Sequence, residues 1–258
     1  VPVEVAANTL LVDFNDAAHM DAALWANRGQ VAAVILEPML GNVGPVPPAP
    51  GYLAEVRRLA DKHGAVLIFD EVITGLRLSL GGAQEFYGVR PDITVLGKVL
   101  GGGMPMGAFG GSKEIMSRVS PLGKVYQAGT YSGNPMSLSA GLATMEVLEA
   151  RGLDDLNDRG RGLREQLSRI LADNDEEPLV QAEGSMFQLF FGKGPLGNAR
   201  EVLACDRSRY LELYRRMLEL GVMMPPSQFE TCFISLAHGR EETEGILSAF
   251  AQALEAPL

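Results

Sequence analysis

Apolar residues divide the chain into strand-sized and helix-sized pieces. Leu10, Val12 and Phe14 alternate with other residues and predict a short half-buried strand. Asn15-Asp16 then opens a helix with Met20, Ala23 and Leu24 at helical spacing. Residues 31–38, VAAVILEP, form a continuous apolar run stopped by Glu37-Pro38, the pattern of a parallel-sheet strand buried on both faces. Four prolines and two glycines make residues 41–50 a loop. Leu53, Val56 and Leu59 mark a helix over 52–63 that stops at Gly64. Two more apolar runs follow, AVLIF ending at Asp70 and ITVLG leading into Lys98, with a short helix over 82–89 between them. GAFGGS, residues 107–112, predicts a further strand, and a helix follows around 113–119. Residues 127–150 read as a loop feeding a helix, with Asn134 as N-cap and Pro135 in the first turn. Ser137, Ser139, Ala140, Gly141 and Ala143 would let that helix pack closely on a neighbour.

The texture changes after residue 150. A charged amphipathic helix over 152–172 carries Leu156, Leu163, Leu167 and Ile170 on one stripe. Residues 179–192 read as two strand pieces, 193–199 as an exposed loop and 206–220 as a helix. Short strands are expected at 221–226 and 231–238, and a last helix at 241–254. The expected fold class is α/β, a mainly parallel sheet with helices on both faces over residues 1–150. A smaller α+β domain is expected over 151–258.

Composition narrows the classes of function. The chain has 258 residues, 47% of them hydrophobic, enough for a substantial core. Its net charge is −10 without a Lys/Arg-rich run, which argues against nucleic acid or an anionic membrane as partner. No apolar stretch reaches the ~18–20 residues of a membrane span, and residues 1–15 lack a signal-peptide pattern. Opening at Val1, the chain reads as a piece of a longer protein, and a transit segment ahead of it is left open. Cys205 and Cys232 lie far apart without CxxC or Cys/His metal spacing, so reduced, buried thiols in a cytoplasmic protein are expected. His19, His63 and His238 are isolated and read as helix-end or strand-end residues.

Two charges stand out. Asp70 closes one apolar run and Lys98 falls at the end of another, where a buried charge is costly unless paired or neutralised. In parallel sheets ligands bind beyond the carboxyl ends of the strands. Pyridoxal phosphate would account for both residues, since it bonds a lysine through its aldehyde and carries a ring nitrogen that an aspartate keeps protonated. An ordinary Asp–Lys ion pair at a sheet end is the competing account. Other motifs are absent: GGGMPMG is not GxGxxG, Gly97-Lys98 lacks P-loop spacing, and there is no GxSxG elbow. Thr130 and Ser132 precede a helix N-terminus, where they could hold an anion or merely cap. Glu37 reads equally as a carboxylate near the site or as the polar end of a strand.

IFDEVITGLR, TVLGKVLGGGMPMGAFGG and YQAGTYSGNP together closely resemble the class III, fold type I, pyridoxal-phosphate-dependent aminotransferases. The likeness continues through ACDRSRY, GVMMPPSQFE and FISLAHG, covers nearly the whole chain, and is strongest with the glutamate-1-semialdehyde 2,1-aminomutase branch. By that resemblance Lys98 is the cofactor lysine, Asp70 binds the ring nitrogen and Val72 packs on one ring face. Thr130 reaches the cofactor phosphate of a neighbouring subunit, which implies a homodimer with shared sites. Asn15 matches a family asparagine near the cofactor, and Glu230 a family glutamate beside the substrate pocket. The implied function is transfer of an amino group within glutamate-1-semialdehyde to give 5-aminolevulinate, in tetrapyrrole biosynthesis.

The same resemblance shows what is missing. Complete family members carry a long N-terminal portion with a phosphate-binding turn, a stacking aromatic, a carboxylate-binding arginine and a mobile loop, none of them in these 258 residues. Ile73 and Tyr131 replace other apolar residues common in the family. An ω- or β-amino-acid aminotransferase is the alternative within the class. A catalytically incomplete fragment serving as a dimerisation scaffold is another, and a cofactor-free Schiff-base lyase is a third.

Overall fold

Three apolar runs lie side by side as parallel strands of the first sheet. The computed structural model describes residues 1–173 and 179–255. In chain order they form α1 (Val3–Ala6), α2 (Ala17–Ala26), β1 (Ala33–Leu36), α3 (Tyr52–His63), β2 (Val66–Asp70), α4 (Gly82–Phe86) and β3 (Ile93–Leu96). A 3-10 turn (Lys98–Gly101), β4 (Ala108–Gly111), α5 (Lys113–Met116) and α6 (Pro135–Arg151) follow. The remainder is α7 (Asp154–Asp173), β5 (Leu179–Glu183), β6 (Met186–Phe190), α8 (Ala199–Leu203), α9 (Arg207–Glu219), β7 (Cys232–Phe233) and α10 (Arg240–Ala253).

The first sheet has the order β1-β2-β3-β4, parallel except for β4, which runs antiparallel to β3. Leu67 and Phe69 of β2 are completely buried, each worth about 1.5–3 kcal/mol by transfer from water. The second sheet, β5-β6-β7, is antiparallel, and α7 packs on its β5 and β6 strands. The chain is therefore α/β in its first half and α+β in its second. Caps act where the sequence places them. Asp16 accepts from the His19 N–H at 2.8 Å, Asn134 from the Met136 N–H at 2.9 Å, and Gly64, at φ +69°, ends α3 in the left-handed region.

Several local expectations fail for identifiable reasons. Residues 9–13 form no strand, because no neighbour offers them a ladder; of the alternating set only Phe14 is buried, edge-on to Tyr52 at 5.0 Å. The strand at β1 is not buried on both faces. It pairs only with β2, and Ile35 is 64% exposed. Residues 221–226 are irregular, since Pro225 and Pro226 lack the N–H a ladder needs, and the Pro225 carbonyl instead accepts from the Tyr210 hydroxyl at 2.8 Å. The strand expected over 231–238 shortens to Cys232–Phe233, because Ser235 and His238 bond to one another and turn the chain. The loop expected at 193–199 holds up to Asn198, but the short α8 that follows was not expected; Asn198 caps it by accepting from the Glu201 N–H at 3.1 Å.

Two apolar clusters span the halves. Leu76, Leu100 and Leu148 join Leu163, Leu167, Tyr210 and Phe250 in one, while Val56, Leu67 and Phe69 join Phe190, Leu196 and Val202 in the other. Both clusters cross residue 150.

Candidate active site

Parallel strands end together, so the residues that follow them share one rim of the sheet. Glu37 stands one residue past the paired positions Leu36 and Phe69, Asp70 closes β2, and Lys98 lies two residues past the end of β3. Asp70 is paired in register with Val95, and the next amide, Glu71 N–H, donates to the Val95 carbonyl at 2.9 Å. This brings the Asp70 and Lys98 ends of β2 and β3 side by side.

Asp70 is half-buried, and its Oδ1 accepts from the Val72 N–H at 3.1 Å, which fixes the carboxylate at the strand end. Lys98 is exposed and opens the 3-10 turn at φ +47°, a left-handed conformation that a side chain rarely takes. The premise of a buried lysine is thus corrected. No ion pair joins Asp70 to Lys98 among the described residues, so the plain ion-pair account fails too. Val72 packs beside Gly97, the residue before Lys98: a Cβ on Gly97 would stand 3.3 Å from Val72 Cγ1.

The turn after Lys98 is seated on α6. A Cβ on Gly102 would meet the Ala140 carbonyl oxygen at 2.6 Å, and one on Gly141 would collide with the Leu100 carbonyl oxygen. The small residues of α6 therefore pack against the segment that presents Lys98, which gives them their reason.

Glu37 belongs to this rim. Its Oε2 accepts from the Gly41 N–H at 3.0 Å. Burial pushes its carboxyl above the ordinary value; the Gly41 N–H opposes this, the Asp70 carboxylate adds to it, and Asn42 and Lys98 pull the other way. Sequence reasoning left Glu37 undecided because a Glu before Pro carries no local sign of what the next strand brings beside it.

Other expected residues sit further out. Asn15, at φ +66°, spends its side-chain amide on backbone: Nδ2 donates to the Gly197 carbonyl at 2.8 Å and the Pro47 carbonyl at 3.2 Å, and Oδ1 accepts from the Ala49 N–H at 2.7 Å. It ties three segments together and makes no hydrogen bond to Asp70 or Lys98. Thr130 is exposed in the turn before α6, without a hydrogen bond among the described residues. The Glu230 side chain is exposed, while its carbonyl accepts from the Gln188 amide. Its neighbours dock on the loop held by Glu37: Thr231 Oγ1 donates to the Gly41 carbonyl at 2.7 Å, and the Gly44 N–H donates to the Phe229 carbonyl at 2.8 Å. Ile73 is buried against Gly41 rather than open to a pocket, since a Cβ on Gly41 would meet its Cδ1 at 2.6 Å.

Two charged residues were passed over in the sequence. Glu71 is completely buried and accepts from Thr74, from the Ala83 and Gln84 amides at the start of α4, and from the Gln84 side chain. Arg77 donates to Ser185 Oγ at 3.2 Å and the Ile234 carbonyl at 3.1 Å and lies 4.9 Å from the centre of the Phe233 ring. Both brace the loop after Asp70. Cys205 and Cys232 are free and buried, and burial pushes the Cys232 thiol up to about 12. No group of three metal-ligating side chains occurs among the described residues, and no described helix is long and apolar enough to cross a membrane.

The residues present fit part of a pyridoxal phosphate site. A lysine amine without a partner among the described residues, a carboxylate anchored through one oxygen and the apolar Val72 beside Gly97 match the aldehyde, ring nitrogen and ring face of that cofactor.

Similar proteins agree with this arrangement. Curated relatives include a glutamate-1-semialdehyde 2,1-aminomutase of Methanothrix thermoacetophila, 52% identical over 97% of this chain and 58% of its own length. Another, from Sorangium cellulosum, is 48% identical over 99% of this chain and 59% of its own. This chain thus spans about three-fifths of the curated relatives it matches. Among solved structures, an omega-transaminase from Sphaerobacter thermophilus superposes with a TM-score of 0.93 at 32% identity, over 98% of this chain and 58% of that one. A glutamate-1-semialdehyde aminomutase from Pseudomonas aeruginosa in complex with PMP superposes at 0.84 with 30% identity, over 95% and 56%. The family model for class-III aminotransferases matches residues 9–254, and on that match the chain belongs to the aminotransferase class-III family.

Proposed function

We propose that the protein containing this chain is a pyridoxal-phosphate-dependent aminomutase that moves the amino group within glutamate-1-semialdehyde to give 5-aminolevulinate, a step of tetrapyrrole synthesis. The observation that carries the reading is that Lys98, whose amine has no partner among the described residues, and the anchored Asp70 follow the adjacent ends of β3 and β2 on one sheet rim. The identity of 52% to an aminomutase supports the choice of reaction.

When bound, the cofactor supplies an electron sink that loosens a C–H bond of the substrate. Lys98 Nζ would bond the cofactor aldehyde and, once released, take and return the proton at the substrate carbon. Asp70 would hold the ring nitrogen protonated, and Val72 would lie on one ring face. Asn15 would act from the rim, through the loops it ties. Glu230 would face the substrate, and Thr130 would reach the phosphate held by a second subunit in a homodimer with shared sites. The two buried, unpaired thiols accord with a reducing compartment, which we take to be the cytoplasm.

An ω- or β-amino-acid aminotransferase is the second reading, favoured by the TM-score of 0.93 to an omega-transaminase. Incubating the full-length protein with glutamate-1-semialdehyde and no amino acceptor separates the two. The expected result is 5-aminolevulinate; its absence, with turnover appearing only when an acceptor is added, makes the protein a transaminase. Added pyridoxal phosphate is expected to give a visible absorbance band that Lys98→Ala abolishes, and a band that persists in the variant means that another group holds the cofactor.

A further inference from the structure

We propose that Glu37 is a positioning residue that sets where Glu230 stands relative to Asp70 and Lys98. The assignment of roles to those three residues rests on the function proposed above, whereas the linkage rests on geometry alone. Glu37 Oε2 holds the Gly41 N–H at 3.0 Å, across a turn that closes the chain back on the rim of β1. The opposite side of that turn receives the segment bearing Glu230: the Gly41 carbonyl accepts from Thr231 Oγ1 at 2.7 Å, and the Gly44 N–H reaches the Phe229 carbonyl at 2.8 Å. Gly41 and Gly44 are buried, Thr231 is 4% exposed, and Ile73 fills the space beside Gly41. A route of short, partly to fully buried contacts therefore runs from the Asp70 rim through Glu37 and Gly41 to Thr231, the residue next to Glu230. Glu37 is the point at which this route meets the sheet.

A neutral acceptor at position 37 should hold the turn as well as a carboxylate does, because the bond to the turn comes from an uncharged backbone N–H, that of Gly41. Hydrogen exchange read by NMR on the protein, with or without cofactor, tests the linkage. Glu37→Ala should speed exchange at the Gly41 and Gly44 amides on the order of tenfold, the effect of one lost hydrogen bond, while Leu67 and Phe69 amides stay protected. In the cofactor-loaded protein the same variant should raise KM for substrate severalfold with a smaller change in kcat and an unmoved cofactor absorbance. Thr231→Val, which cuts the route at its other end, should reproduce the KM effect, and Glu37→Gln should restore both exchange and KM. Unchanged exchange at Gly44 in Glu37→Ala overturns the proposal, as does a Glu37→Gln variant as impaired as the alanine. If the wild-type protein takes up no cofactor, the proposed function fails, and the exchange measurement still decides whether Glu37 holds the turn.

Discussion

At the scale of single residues, the rim of the first sheet concentrates unusual states. Of three non-glycine residues with positive φ among the described residues, Lys98 is the proposed cofactor lysine and Leu76 lies in the loop after Asp70. Such strain persists only where surrounding packing imposes it, and here the packing of the Lys98–Gly101 turn on α6 does so. Glu37 shows the electrostatic side of the same crowding. Its carboxyl keeps its proton to higher pH in the folded chain than its ordinary 4.5, chiefly through burial. The folded state thus binds the extra proton, so this group's contribution to stability is complete below that ordinary value and is lost as pH rises through the folded value. Glu37→Gln removes the titration while keeping an acceptor for Gly41. Urea midpoints measured from acid to neutral pH should show the variant gaining on the wild type as pH rises. A constant difference across that range would mean that Glu37 does not titrate differently on folding.

At the scale of elements, α6 does two jobs with two faces. Gly141 and Ala140 let the Lys98 turn approach its axis, while Leu138, Leu142 and Met145 are exposed together on another face. An exposed apolar row of this kind is the expected mark of a protein interface, and it follows directly on Thr130, the residue we propose to serve a second subunit. If the proposed homodimer forms through this row, Leu142→Glu should shift it to monomer in sedimentation equilibrium and weaken cofactor retention along with it. A dimer undisturbed by this charge would move the proposed interface elsewhere. Helices with strong caps were legible in advance: Asn134-Pro135, Asp16 and Gly64 end or begin their helices as read. Strand extents were not, because a strand requires a ladder: residues 9–13 have no partner strand among the described residues, and Pro225 and Pro226 withhold the N–H groups that 221–226 would need.

At the scale of the whole molecule, the two sheets share their cores. We propose two units meeting near residue 150, a sheet-centred cofactor unit and a smaller α+β unit, coupled by clusters that draw on both. Phe190 of β6 is completely buried among Val56, Leu67 and Phe69 of the first unit and presses on Gly44, where a Cβ would collide with its ring. Phe190→Ala should cost about 3–5 kcal/mol and move a single cooperative transition in calorimetry. Two separate transitions, with only the later half shifted, would show that the units fold independently.

The residue types and their spacing by themselves determined the α/β pattern, the strand-end positions of Asp70 and Lys98, and a family likeness carried by long motifs. These are local properties, written in periodicity, caps and contiguous words of sequence. Only the tertiary structure decided that Lys98 is exposed and without a partner among the described residues, that Asn15 is spent on backbone, and that Glu37 is joined through Gly41 to the segment of Glu230. Those facts depend on which backbone donors and carbonyls from distant parts of the chain arrive at one place. A hydrogen bond between residues 41 and 231 leaves no periodic trace in either segment.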